Sequence, residues 1–212
     1  MISADAGKAL CHTEWRRRDR HIRLAIGPRT VRCCLLLSGG VIQCERLRLR
    51  ELGLHDAEFI LRLLNEPGFL KFIGDKGVRT LDDAREYLSK GPLESYRRHG
   101  FGLYLVSLRR DGTPIGMCGL VKRDTLVDPD VGFAFLEEHW SKGYASEAAA
   151  AVLVHGRNTL GIERIVAITA IDNWGSIAVL EKIGLTLERR VRLGDDSKEL
   201  NLFGPAPRGG VR

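Results

Sequence analysis

The stretch from Asp130 to Leu160 constrains the fold most. DVGFAFL reads as an apolar strand, EEHWSKG as a polar turn ending in glycine, and a helical stripe follows at once. Ala145, Ala149, Val152, Leu153, Gly156 and Leu160 recur at steps of four, three, one, three and four, which keeps one helix face on a core. A helix entered straight from such a turn has unpaired N–H groups and the positive end of its dipole at its start, and together these receive an anion. Gly143 lets the backbone approach a ligand, and Ala145 adds no obstruction. Read alone, Gly143 equally suits a tight turn with no ligand.

The surrounding pattern mixes strands and helices. Leu47 and Leu49 alternate with Arg46, Arg48 and Arg50, a strand with one wet face. Helical spacing over residues 55–64 is stopped by Glu66-Pro67-Gly68. Thr80 is a suitable N-cap for a second helix that breaks near Gly91-Pro92 and resumes over residues 93–98. Residues 101–108 and 114–121 are strands joined through Asp111-Gly112, a hairpin signal. After the central helix come a β-branched strand over residues 164–171, a helix over 176–183 closed by Gly184, and strands over 185–191 and 199–203. Helices interspersed with hairpins predict an α+β or mixed α/β fold rather than a doubly wound parallel sheet.

Charge and cysteine content narrow the classes. Of 33 basic and 27 acidic residues, residues 1–44 hold eight and three, so the remainder is close to neutral and no nucleic acid is expected to bind it. Residues 1–44 lack useful periodicity and are expected to be a disordered basic extension; a polybasic arm for RNA or the ribosome is the alternative. Residues 45–203 then form one domain, and 204–212 a flexible tail. The five cysteines have no CxxC spacing, so neither a disulfide framework nor a metal site is expected. The longest signal-like apolar run, residues 33–37, is too short to span a bilayer, and a cytoplasmic protein without membrane contact is expected.

Two motifs carry a resemblance. Trp140-Ser141-Lys142-Gly143-Tyr144-Ala145, followed by Ser146-Glu147-Ala148, resembles the Gln/Arg-x-x-Gly-x-Gly/Ala pyrophosphate loop of the GNAT acetyltransferases. Trp in the first place is similar to their RimJ/RimL branch. Asn173-Trp174-Gly175-Ser176, continuing through Val179-Leu180-Glu181-Lys182-Ile183-Gly184-Leu185, resembles that branch's Asn-x-x-Ser-x-x-Val-Leu-x-Lys-x-Gly-Phe signature, with Leu185 for Phe.

The resemblance implies a sheet of about seven strands, splayed where acetyl-CoA binds, and transfer of its acetyl group to a primary amine in a ternary complex. The acceptor is expected to be a protein N-terminus or a small molecule, and the enzyme a monomer or homodimer. It further implies that Trp140, Ser141, Lys142, Gly143, Tyr144, Ala145 and Ser146 hold the cofactor, that N–H groups near Phe135 and Leu136 face the pantetheine and thioester, and that Asn173 and Ser176 lie at the reacting centre. Asn173 also reads as a plain N-cap. Amide formation needs a neutral amine, a donor to the developing oxyanion and a proton for the thiolate. Asp130 is the candidate base, against the alternative of a solvated strand-end carboxylate; Glu137 and Glu138 are substitutes. Leu180 stands where many of these enzymes carry a Tyr acid, so Ser176 is the candidate donor and Tyr144 the reserve. An acyl-CoA sensor without turnover and an RNA-associated adaptor are the rival classes.

Overall fold

The computed structural model describes residues 21–26, 29–37, 41–194 and 198–206, the first two segments by backbone alone. Strands β1 (His21–Ile26), β2 (Arg29–Leu37), β3 (Val41–Cys44), β4 (Leu47–Glu51), β5 (Leu103–Leu108), β6 (Pro114–Val121) and β7 (Asp130–Phe135) form an antiparallel sheet in chain order. Strands β8 (Ala167–Ala170), β9 (Leu185–Val191) and β10 (Leu200–Pro205) form a second antiparallel sheet in the order β8, β10, β9. Helices α1 (Ala57–Leu64), α2 (Pro67–Phe72), α3 (Leu81–Leu88) and α4 (Glu94–His99) lie between β4 and β5, α5 (Tyr144–Asn158) between β7 and β8, and α6 (Trp174–Lys182) between β8 and β9. The α+β class is as expected. The expected single sheet is instead two, meeting through one parallel bridge between Asp130 and Val166.

Period-2 alternation covers both faces of the large sheet. Leu47, Leu49, Tyr104, Val106, Cys118, Leu120, Val131 and Phe135 pack with α5, whereas Leu105, Met117 and Ala134 pack with α1 to α3. The second turn of α5 is buried through four successive alanines, Ala148 to Ala151, so the helix lies close to its neighbours on every side there. Gly156 extends that closeness: a Cβ there would come within 2.6 Å of Ile165 Cδ1. At the junction of the sheets Arg164 binds Asp128 at 2.8 Å and Glu188 at 2.7 Å, tying the β7 entrance to β9.

Three sequence expectations need correction. Glu66-Pro67-Gly68 does not merely stop α1; Pro67 is the first residue of α2, where its missing N–H costs nothing and its fixed φ suits the helix. The break at Gly91-Pro92 is a wide turn, residues Ser89–Leu93, that carries α3 into α4. The boundary at residue 45 does not coincide with the edge of the sheet, because β3 pairs with β4 and buries Ile42 and Cys44. Four residues are too short a window for periodicity to register. Residues 1–20 and 207–212, parts of the expected extension and tail, lie outside the described residues.

A chain beginning at residue 45 should therefore melt roughly 5 °C or more below one beginning at residue 41. Burial of one Ile side chain contributes about 1.5–3 kcal/mol, and β4 loses its ladder on that edge as well. Equal melting temperatures by circular dichroism would restore the boundary to residue 45.

Candidate active site

The site begins where β7 and β8 part. Val131 N–H donates to Val166 C=O at 2.8 Å and Val166 N–H to Pro129 C=O at 3.0 Å, and there the pairing stops. Leu136 N–H donates to Ile115 C=O at 3.0 Å, on the β6 side. Successive N–H groups of a strand point to opposite edges, so those of Phe133 and Phe135 point into the gap. Neither has a partner among the described residues. The expectation for Phe135 fits this geometry, whereas Leu136 is committed to the sheet and Phe133 takes its place. Phe133 could have been found by parity with Phe135 once the gap's side was known.

At the foot of the gap, residues Glu137–His139 form a 3-10 turn, Ser141 adopts φ 59°, and Gly143 caps α5 at φ 79°. Two left-handed residues in three reverse the chain sharply, and glycine meets the second without steric cost. The first N–H to rejoin the ladder is that of Glu147, on Gly143 C=O at 3.1 Å. Among the described residues, none of the six N–H groups from Ser141 to Ser146 has a hydrogen-bond acceptor. Ser141 to Ser146 thus present a run of backbone donors at the start of α5.

The side chains of this loop do other work. Trp140 Nε1 donates to Phe135 C=O at 2.8 Å, and its ring covers Gly68 of α2, so it is not free to contact a phosphate. Lys142 Nζ turns back to Glu138 C=O at 2.7 Å. The Tyr144 ring lies under the Arg46 guanidinium, 4.6 Å from its centroid, and lines a groove with Glu45, Leu108, Arg109 and Arg110. None of these belongs to β7, β8 or α6, so Tyr144 is badly placed as a proton donor in the gap.

Across the gap, β8 leads to Asn173, whose Oδ1 accepts the Ser176 N–H at 3.0 Å and caps α6. The plain N-cap role of Asn173 is therefore present, and Nδ2 remains for a second one. The half-buried Ser176 hydroxyl has no hydrogen-bond partner among the described residues, and the buried Leu180 lies one turn further on. Trp174, beside the cap, is 74% exposed.

The carboxylates differ from expectation. Asp130 is 1% exposed, not solvated, and accepts Arg123 Nε at 2.8 Å and Nη2 at 3.3 Å. Burial pushes its carboxyl up while Arg123 pulls it down. It sits at the closed end of the gap, about 16 Å from Phe135 along a strand rising roughly 3.3 Å per residue. Direct proton transfer from an amine at that residue is out of its reach. Glu137 Oε1 accepts the Gly68 N–H at 2.7 Å, and Glu138 faces solvent beside Arg62 at 3.3 Å. The buried Nδ1 of His155 has no hydrogen-bond partner among the described residues, and burial lowers that imidazole's pKa. No three metal-binding side chains converge among the described residues, and none of the helices described is long and apolar enough to cross a membrane.

Comparison with known proteins gives the family and the fold. A family model described as acetyltransferase (GNAT) domain matches residues 46–186. An uncharacterized N-acetyltransferase of Bacillus subtilis (strain 168), YnaD, is 29% identical over 147 residues, 69% of this chain and 83% of its own. The crystal structure of an acetyltransferase from Agrobacterium tumefaciens str. C58 is 25% identical, with a TM-score of 0.68 over 82% of this chain and 98% of that one. RimL, the ribosomal L7/L12 alpha-N-protein acetyltransferase solved with coenzyme A, shares the fold at a TM-score of 0.68 and 18% identity, covering 77% of this chain and 96% of its own.

Gly68→Ala tests the contact between α2 and the loop. A Cβ there would lie 2.3 Å from Trp140 Cη2, an overpacking that costs about 1–3 kcal/mol and outweighs a helix-propensity gain of about 1 kcal/mol. The variant should melt lower, with Trp fluorescence shifted to the red; an unchanged or raised melting temperature would show that α2 is not seated on Trp140.

Proposed function

Because the chain belongs to the GNAT acetyltransferases, and within them to the RimJ/RimL type, we propose that it acetylates a primary amine of a protein N-terminus or a small molecule by direct transfer within a ternary complex. It is an N-acetyltransferase that uses acetyl-CoA; the acceptor class is the part proposed. The observation that carries the reading is the row of unpaired N–H groups from Ser141 to Ser146 at the positive end of α5, beside the gap-facing N–H groups of Phe133 and Phe135.

Acetyl-CoA supplies an activated acyl group and a thiolate leaving group. The loop's N–H groups and the helix dipole receive the diphosphate, which fits a turn that presents donors and no acidic side chain at residues 141–146. Phe133 and Phe135 offer N–H donors to the pantetheine and to the thioester oxygen, where negative charge develops as the amine nitrogen attacks. Asn173, fixed by its cap, presents Nδ2 to the same region. The new C–N bond replaces the C–S bond, the amine loses one proton and the thiolate gains one. The Ser176 hydroxyl is the group proposed to hand that proton over, regaining one from the amine through water, because an alcohol is too weak an acid to stay deprotonated. Trp140 holds the Phe135 carbonyl and so fixes the end of the strand that presents these donors.

Calorimetry with acetyl-CoA tests the cofactor half. Gly143→Val places a β-branched residue at φ 79°, with its Cβ 3.4 Å from Arg46 Nη2, and should abolish measurable binding in a folded protein. Thiol release across a panel of primary amines tests the acceptor half. On the best amine, Ser176→Ala should lower kcat by about 100-fold with acetyl-CoA affinity nearly unchanged. A Gly143→Val protein that binds normally would remove the cofactor reading, and a Ser176→Ala enzyme with full kcat would pass the proton step to water.

A further inference from the structure

Arg46 has no role in the scheme above, yet it reaches the cofactor loop and the helix turn that follows it at several points. Its own N–H donates to Glu147 Oε1 at 2.8 Å and its Nε to Glu147 Oε2 at 2.7 Å. Nη1 donates to Lys142 C=O at 2.9 Å, and the guanidinium covers the Tyr144 ring at 4.6 Å. Nη2 has no hydrogen-bond partner among the described residues and lies 3.4 Å from where a Cβ on Gly143 would stand. One side chain, arriving from the bend between β3 and β4 across 101 positions of sequence, therefore touches residues 142, 144 and 147 and borders residue 143.

From these contacts we infer that Arg46 is a positioning residue for diphosphate binding. It holds the left-handed loop in its receiving conformation and cancels the charge of Glu147 beneath it. The inference rests on the loop being the diphosphate site. Glu147 has 10% of its side chain exposed, so its carboxylate is shielded from water and sits in the first turn of α5, the turn that must accept a dianion. Without Arg46 that carboxylate repels the incoming phosphates, and the Lys142 carbonyl is free to turn and rotate the N–H groups out of line. The planar guanidinium meets one carboxylate oxygen, a carbonyl and an aromatic face at once, which an ammonium cannot, while the backbone N–H of the same residue takes the other oxygen. Arg46 also supplies a cation beside a loop whose first position is Trp140 rather than a basic residue.

Coenzyme A carries its own control, because its two diphosphate phosphorus atoms and its 3′-phosphate resonate separately. In the wild-type protein, saturation with coenzyme A should shift the diphosphate 31P signals. Arg46→Ala should weaken calorimetric affinity at least 10-fold and, at saturation, return those two signals towards their free positions while the 3′-phosphate signal keeps its bound position. Arg46→Lys should fall between the two. Arg46→Ala with Glu147→Gln should recover part of the lost affinity, since the uncompensated carboxylate is gone. Arg48→Ala, an exposed change two residues on in β4, should match wild type. If wild type itself binds without a diphosphate shift, the loop reading fails. If wild type shows the shift and the folded Arg46→Ala and Arg46→Lys proteins bind within twofold of it, or lose all three signals alike, the role given to Arg46 fails alone.

Discussion

The parting of β7 from β8 after one bridge is the constraint on which the rest of this structure depends. Two strands that run parallel would ordinarily keep pairing, and leaving their facing edges open strands backbone donors that must find water or a ligand. Here the pair is closed at one end by Val131 and Val166, and reinforced by Arg164 between Asp128 and Glu188. It opens towards the foot of α5. The same divergence that exposes the Phe133 and Phe135 N–H groups directs β7 into the turn that starts α5 and β8 into the cap that starts α6. Two helix N-termini thus stand at the open end of one gap.

The face opposite α5 is joined to this gap through short polar links. Glu137 receives the Gly68 N–H, Trp140 lies on Gly68, and Arg62 of α1 pairs with Glu138. The helices α1 and α2 are therefore mounted on the turn that precedes residues 141–146 rather than packed beside it by apolar contact alone. Any change in the conformation of residues 137–140 is transmitted to the α2 backbone by a hydrogen bond and a ring.

Local chemistry made part of this legible in the sequence. Gly143 before an apolar helical stripe marked the loop, Thr80 and Asn173 marked their caps, and Asp111-Gly112 marked its hairpin, because each depends on residues within one turn of chain. What was not legible depends on register. Whether Leu136 or Phe133 turns an N–H to the gap is decided by the pairing of β7 with β6 and Val166, and no property of those side chains reveals it. Asp130 read as a candidate base or a solvated strand end because its partner, Arg123, is seven positions back across a loop. Trp140 resembled a cofactor contact by its place in a motif, yet its indole is taken by Phe135 C=O. Arg46 looked like the wet face of an amphipathic strand, and nothing near it in sequence announced Glu147.

The four alanines in the second turn of α5 bear on how such a site tolerates change over time. With methyl groups as the only spacers, the distance between helix and sheet is set near its minimum, so the helix start acts as a gauge whose setting fixes how deep the N–H cradle lies relative to the β7 edge. A larger side chain at any of the four would lift the cradle bodily rather than deform it locally. Variation in side-chain size is thereby steered away from α5, and from α1 and α2 on the turn before it, towards α3 and α4.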